Sequence, residues 1–204
     1  MTMRLMTVVL LSLAFVSCTS TQLDEQNAPS QDTAPETPEK YNKLIERFAR
    51  GDSEYTGFYN NFEYKAILLS SVVREASLKR QGDYYQWDRE KQLVEREKVQ
   101  KELAEETRVF MSFFTPDRNN DNLTNAKSIW KIYIDAGGRR YEGKVKRLRN
   151  LLAELQSLYP FHTRWTTPYE VSFPVATTAI ETQEVVYTIT GPLGTRAVTF
   201  PAVK

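Results

Sequence analysis

The spacing of apolar side chains changes period several times along this chain, and each change marks an element. An apolar run at residues 5–16 follows the lone charge of Arg4, and residues 19–39 hold almost no large apolar side chain besides Leu23. Tyr41, Leu44, Ile45 and Phe48 then fall at i, i+3, i+4 and i+7, the spacing of a short amphipathic helix, with Gly51 as its end. Phe62, Tyr64, Ala66 and Leu68 alternate with Asn61, Glu63, Lys65 and Ile67, which predicts a strand with one buried face.

From residue 72 to 106 the pattern is helical, without proline and with one glycine, Gly82. It reads as one long helix or as two helices divided near Gly82. Lys91/Glu95, Glu97/Lys101 and Lys98/Glu102 stand four apart, where opposite charges support a helix by about 0.2–0.5 kcal/mol each. Val73, Ala76, Tyr84, Trp87 and Val94 form a broken stripe, so a coiled-coil seam is not specified.

Beyond Glu106 the period becomes two. Strands are predicted at about 57–69, 107–115, 128–135, 139–147, 168–174, 183–190 and 195–200, with a short helix at Leu151, Leu152, Leu155 and Leu158. Residues 135–138 and 191–194 supply hairpin turns. In strand number and spacing this mainly β chain resembles an immunoglobulin-like antiparallel β-sandwich, carrying a long helical insertion, about residues 70–106, between its first two strands. Trp130 stands where such domains keep a core tryptophan, and both sandwich cysteines are missing.

Cys18, the only cysteine, follows the apolar run directly. Phe15-Val16-Ser17-Cys18 resembles the lipobox of bacterial lipoproteins, with Phe15 where an aliphatic residue usually stands. The resemblance implies a signal peptide at residues 1–17, diacylglycerol on the Cys18 sulfur, a flexible tether over residues 18–39 and one folded domain over 40–204. It places the protein in the cell envelope, held by its lipid anchor. Thr19 in place of aspartate implies sorting to the outer membrane, facing periplasm or cell exterior. Tyr159-Pro160-Phe161 and Pro168-Tyr169-x-Val171-x-Phe173-Pro174 resemble uncharacterised envelope lipoproteins of Gram-negative bacteria.

Charge excludes one class of partner. Residues 1–17 carry Arg4 and no acid, so the remainder holds 26 basic and 26 acidic side chains, and no nucleic-acid partner is expected.

Candidate chemistry is sparse. His162 is the only histidine, and no nucleophile signature accompanies it, which argues against an enzyme. Asp117, Asn119 and Asp121 begin like a calcium loop, but Asn122 and Ser128 occupy the positions that need glycine and glutamate, so a polar turn is the expectation, with no metal and no cofactor. Arg139, Arg140, Lys144, Lys146, Arg147 and Arg149 form the densest basic cluster, fit either for anionic lipid, lipopolysaccharide or polysaccharide or for guarding an exposed strand. Tyr84, Tyr85 and Trp87 stand at the helix break, as contact surface or as core. The expectation is an envelope lipoprotein that acts as a non-enzymatic structural or protein-interaction module with an envelope protein as partner. The alternative is a periplasmic ligand-binding domain for a glycan or an ion.

Overall fold

The computed structural model describes residues 37–203; Cys18 and the segments read as signal peptide and most of the tether lie outside the described residues. Helix α1 (Pro38–Phe48) begins within the stretch read as tether, because the Thr37 hydroxyl caps the Lys40 amide at 3.3 Å and Pro38 suits the first helical position. It stops at Ala49, which is extended. Gly51 belongs instead to a strand, β1 (Arg50–Thr56), that the sequence pattern did not reveal. β1 is an edge strand with no fully buried residue, so no apolar alternation marks it.

β2 (Tyr59–Leu68) pairs with β1 and leads into α2 (Ser71–Tyr85) and α3 (Arg89–Glu105), which precede β3 (Thr107–Phe114). The helical segment therefore follows the second strand, not the first. Its break falls at Gln86, whose φ of 52° is left-handed, and Asp88 caps α3 by accepting from the Lys91 amide at 2.7 Å. Of the anticipated pairs Lys91–Glu95 forms, at 2.6 Å. Glu102 turns away from Lys98 to meet Arg74 at 2.6 Å and Arg108 at 3.2 Å, while Arg96 pairs with Glu75. The charges of α3 thus clamp it to α2 and β3.

The remaining elements are β4 (Lys131–Ala136), β5 (Arg139–Glu142), β6 (Lys144–Arg147), α4 (Leu152–Leu158), β7 (Thr167–Phe173), α5 (Thr177–Ile180), β8 (Val185–Gly191) and β9 (Gly194–Phe200). They build a mixed α and β protein with two antiparallel sheets, ordered β1-β2-β3-β7-β6 and β5-β4-β8-β9. Residues 139–147 are two strands, one in each sheet, and the chain changes sheet at Gly143.

One core lies between the sheets, where Phe62, Tyr64, Met111, Phe113 and Tyr169 meet Trp130, Ile134 and Tyr187. The Trp130 ring packs edge-on against Phe62 and Phe113, at centroid distances of 4.9 and 5.4 Å, and its Nε1 donates to the Asn120 carbonyl at 2.8 Å. A second core covers the outer face of the first sheet. Ile67 and Phe110 there contact α1, the first half of α2 and Tyr159, whose ring stacks on Phe110 at 3.6 Å. Apolar residues on both faces of β2 and β3 follow from this double coverage. The start of α2 is fixed from α5, since the buried Glu181 carboxylate accepts from the Ser71 amide at 2.7 Å.

Candidate functional site

The aromatic trio is brought together at the end of α2. The Tyr84 and Tyr85 rings lie 4.6 Å apart, and Trp87 stacks on Tyr85 at 6.1 Å with 14° between planes. Trp87 folds back because its amide donates to the Gly82 carbonyl at 3.0 Å, and its ring sits 3.6 Å from where a Cβ on Gly82 would stand. The ring thus covers the buried Gly82 at ordinary contact distance, which leaves room for a methyl group there. Tyr84 and Tyr85 stay 38% and 50% exposed, so the trio is neither core nor free of the domain.

What holds the tip is α4, which the aromatic residues alone did not indicate. The Tyr85 hydroxyl donates to Glu154 Oε1 at 2.9 Å, and Ser157 Oγ donates to the Tyr84 hydroxyl at 3.4 Å. The bond to Glu154 raises the Tyr85 pKa, because a phenol that donates to a carboxylate resists losing its proton. It lowers the pKa of Glu154, which also accepts from Asn150. Leu151, 72% exposed, and Leu152 extend the apolar surface at the start of α4. The sequence reads Leu151 and Leu152 as apolar positions of the short helix, and nothing in the pattern shows their exposure or connects them with Tyr85, 66 positions or more earlier in the chain.

The basic cluster is divided. Arg139 and Arg140 lie on β5 in the second sheet, where Arg140 makes a bidentate pair with Asp135 at 2.8 and 2.9 Å. Lys144, Lys146 and Arg147 lie on β6, the edge of the first sheet. Lys146, Arg147 and Arg149 line a groove of about 670 Å³ whose far wall carries Leu151 and Glu154. The groove and the aromatic tip share Glu154 and form one continuous surface.

His162 is 2% exposed and lies against the outer face of β3. Its Nδ1 is 2.9 Å from Ser112 Oγ and 3.0 Å from Thr166 Oγ1, and the Thr166 hydroxyl donates to the Thr163 carbonyl at 2.9 Å. A hydroxyl is therefore within reach of the imidazole, which the sequence did not indicate. Among the described residues no carboxylate bonds to the ring, and Ser112 is itself buried, so the cluster ties the loop before β7 to β3. Burial lowers the pKa of His162 and favours the neutral ring.

Asp117, Asn119 and Asp121 do not converge. Asp117 Oδ1 accepts from the Asn119 amide at 3.0 Å, an Asx turn that opens a 3₁₀ turn at Arg118–Asn120. The buried Asp121 carboxylate accepts from Thr167 and pairs with Arg118 at 3.0 Å. Both acids are occupied in fixing the β3–β4 loop. No protein-family model, curated protein or solved structure matches the chain.

Proposed function

We propose that the chain is a lipid-anchored protein of a bacterial cell envelope, sorted to the outer membrane, whose domain is a non-enzymatic interaction module of immunoglobulin-like topology. The sheet orders support the topology. With β2 to β9 lettered A, B, C, C′, D, E, F and G in chain order, the sheets run A-B-E-D and C′-C-F-G, with β1 added at the edge. Strands B and F, which a disulfide joins in antibody domains, here hold Met111 and Tyr187, and the Tyr187 hydroxyl donates to the Met111 sulfur at 3.2 Å. The anchor is supported by Cys18 at the end of the apolar run.

The observation that carries the interaction reading is the half-exposed stack of Tyr84, Tyr85 and Trp87, fixed against α4 and open to solvent. Rigid aromatic side chains that present area without further ordering are the usual anchors of protein interfaces. Crosslinking and co-purification from the native cell test this. Tyr85→Ala with Trp87→Ala is expected to remove a stoichiometric envelope partner while the melting temperature moves little, and Cys18→Ala to abolish acylation seen by mass spectrometry of the N-terminus. Unchanged association together with a large loss of stability makes the trio packing residues and overturns the reading.

A further inference from the structure

We infer that the groove between β6 and α4 binds the phosphate groups of anionic membrane lipids, so that this face of the domain rests on a bilayer. Lys144, Lys146, Arg147 and Arg149 fall within six positions, are exposed, and form no ion pair among the described residues. Cations on the strands of the second sheet are engaged: Arg140 with Asp135, Lys131 with Glu142 at 2.5 Å, and Arg196 with Glu54 at 3.0 Å. The acids nearest the groove do not neutralise it. Glu154 is held by Tyr85 and Asn150, and Glu170, opposite Lys146 in register, makes no ion pair with it. Three cations therefore face one carboxylate across the groove.

Guarding a strand edge accounts for lysines on β6. It does not account for Leu151 at 72% exposure on the wall of the same groove, with Leu152 beside it. A soluble phosphate would likewise use the cations and leave the leucines in water. A membrane surface takes both: headgroup phosphates meet the cations, while Leu151 and Leu152 enter the boundary between headgroups and acyl chains. The inference rests on residues 144–154 and does not require a lipid on Cys18.

Among the described residues both cores are built from Tyr41 onward, so the test uses the chain from Thr19 to Lys204, with a cooperative urea transition as the check that it folds. Unacylated, it is expected to sediment with vesicles of phosphatidylglycerol and phosphatidylcholine at low ionic strength, and not with phosphatidylcholine alone. Each cation near an anionic surface strengthens binding about fivefold. Lys146→Ala with Arg149→Ala is therefore expected to weaken it about 25-fold. These exposed side chains make no contacts the fold needs, so the melting temperature serves as the control. Leu151→Ala is expected to weaken binding with its salt dependence unchanged. Equal binding to both vesicle types, or alanine variants that bind as wild type, overturns the inference. Release from vesicles by glycerol phosphate, with Leu151→Ala without effect, assigns the groove to soluble phosphates and overturns it too.

Discussion

Replacing Gly143 by alanine tests the crossing that joins the two sheets. Gly143 stands between β5 and β6, and its amide donates to the Ile132 carbonyl at 2.8 Å, so the turn is fastened to the second sheet. A Cβ there would lie 2.4 Å from Val171 Cγ1 and 2.8 Å from Phe173 Cε1, where ordinary contact begins at 3.4 Å. Relief needs a shift of the order of 1 Å in close-packed surroundings. Val171 and Phe173 are fully buried, and β7 is hydrogen-bonded on one side to β3 and on the other to β6, which leaves few directions to move. Backbone strain is not the cause, because Gly143 is absent from the positive-φ residues. Overpacking of this kind costs about 1–3 kcal/mol, and the stiffness of β7 puts Gly143→Ala near the upper end. For a domain of this size that is a fall in melting temperature of roughly 6–12 °C. Gly57→Ala separates the two mechanisms, since its φ of +61° strains alanine while nothing lies within 4 Å of the added methyl; its cost is about 1–2 kcal/mol of conformational energy alone. Urea unfolding of the chain from Thr19 measures both. A loss below about 0.5 kcal/mol for Gly143→Ala, the size of an ordinary surface substitution, would refute the reasoning by showing that the crossing yields freely.

Glu181→Ala removes the acceptor for the Ser71 amide at the start of α2, where Ser70 supplies no side-chain cap. The expected cost is about 1–2 kcal/mol, with faster amide exchange confined to the first turn of α2; uniform exchange along the chain would contradict a local cap. His162 has a folded pKa below its unfolded value of about 6.5, so its contribution is complete above that pH and is lost as pH falls from there toward the folded pKa. The urea midpoint is expected to drop more between pH 7.5 and 5.5 for wild type than for His162→Gln, and parallel profiles would refute this.

Most elements legible in the sequence have one wet and one dry face, and β3, buried on both, was legible as an unbroken apolar run. β4, β7, β8 and the Phe62–Ala66 stretch of β2 alternate cleanly, and each strand lies near its expected limits. What was illegible has a physical reason in each case. β1 buries no residue fully, so it carries no period. Residues 139–147 alternate without interruption, and only the close approach of Val171 and Phe173 to Gly143 reveals that the alternation passes from one sheet to the other. The division of the helical segment came from a left-handed Gln86, a residue with no special preference for that conformation, while the glycine nearby serves as a seat for Trp87. At the candidate site the aromatic trio could be read from its own segment. Its partner Glu154 is 69 residues away from Tyr85, and such contacts exist only after the sheet has brought α2 and α4 side by side.

The two edges of the first sheet differ, and the difference bears on what the domain can bind. β1 is closed off by β9, since Arg196 donates to the Ser53 carbonyl at 3.1 Å and pairs with Glu54. β6 has β7 on one side only. The Leu148 amide donates to the Pro168 carbonyl, so alternate residues 144, 146 and 148 direct their backbone groups at β7, and those of Val145 and Arg147 point outward. An open edge of this kind invites strand addition, and three cations on so short a strand, Lys144, Lys146 and Arg147, oppose it. The same cations lose that guarding value beyond the end of β6, yet Arg149 continues the series and Leu151 follows it into solvent. A device that only kept neighbouring chains away would end with the strand. The continuation past Arg147 toward α4 and the tyrosine tip is therefore the part of this surface that edge protection leaves without a reason, and the part for which an anionic, amphipathic surface supplies one.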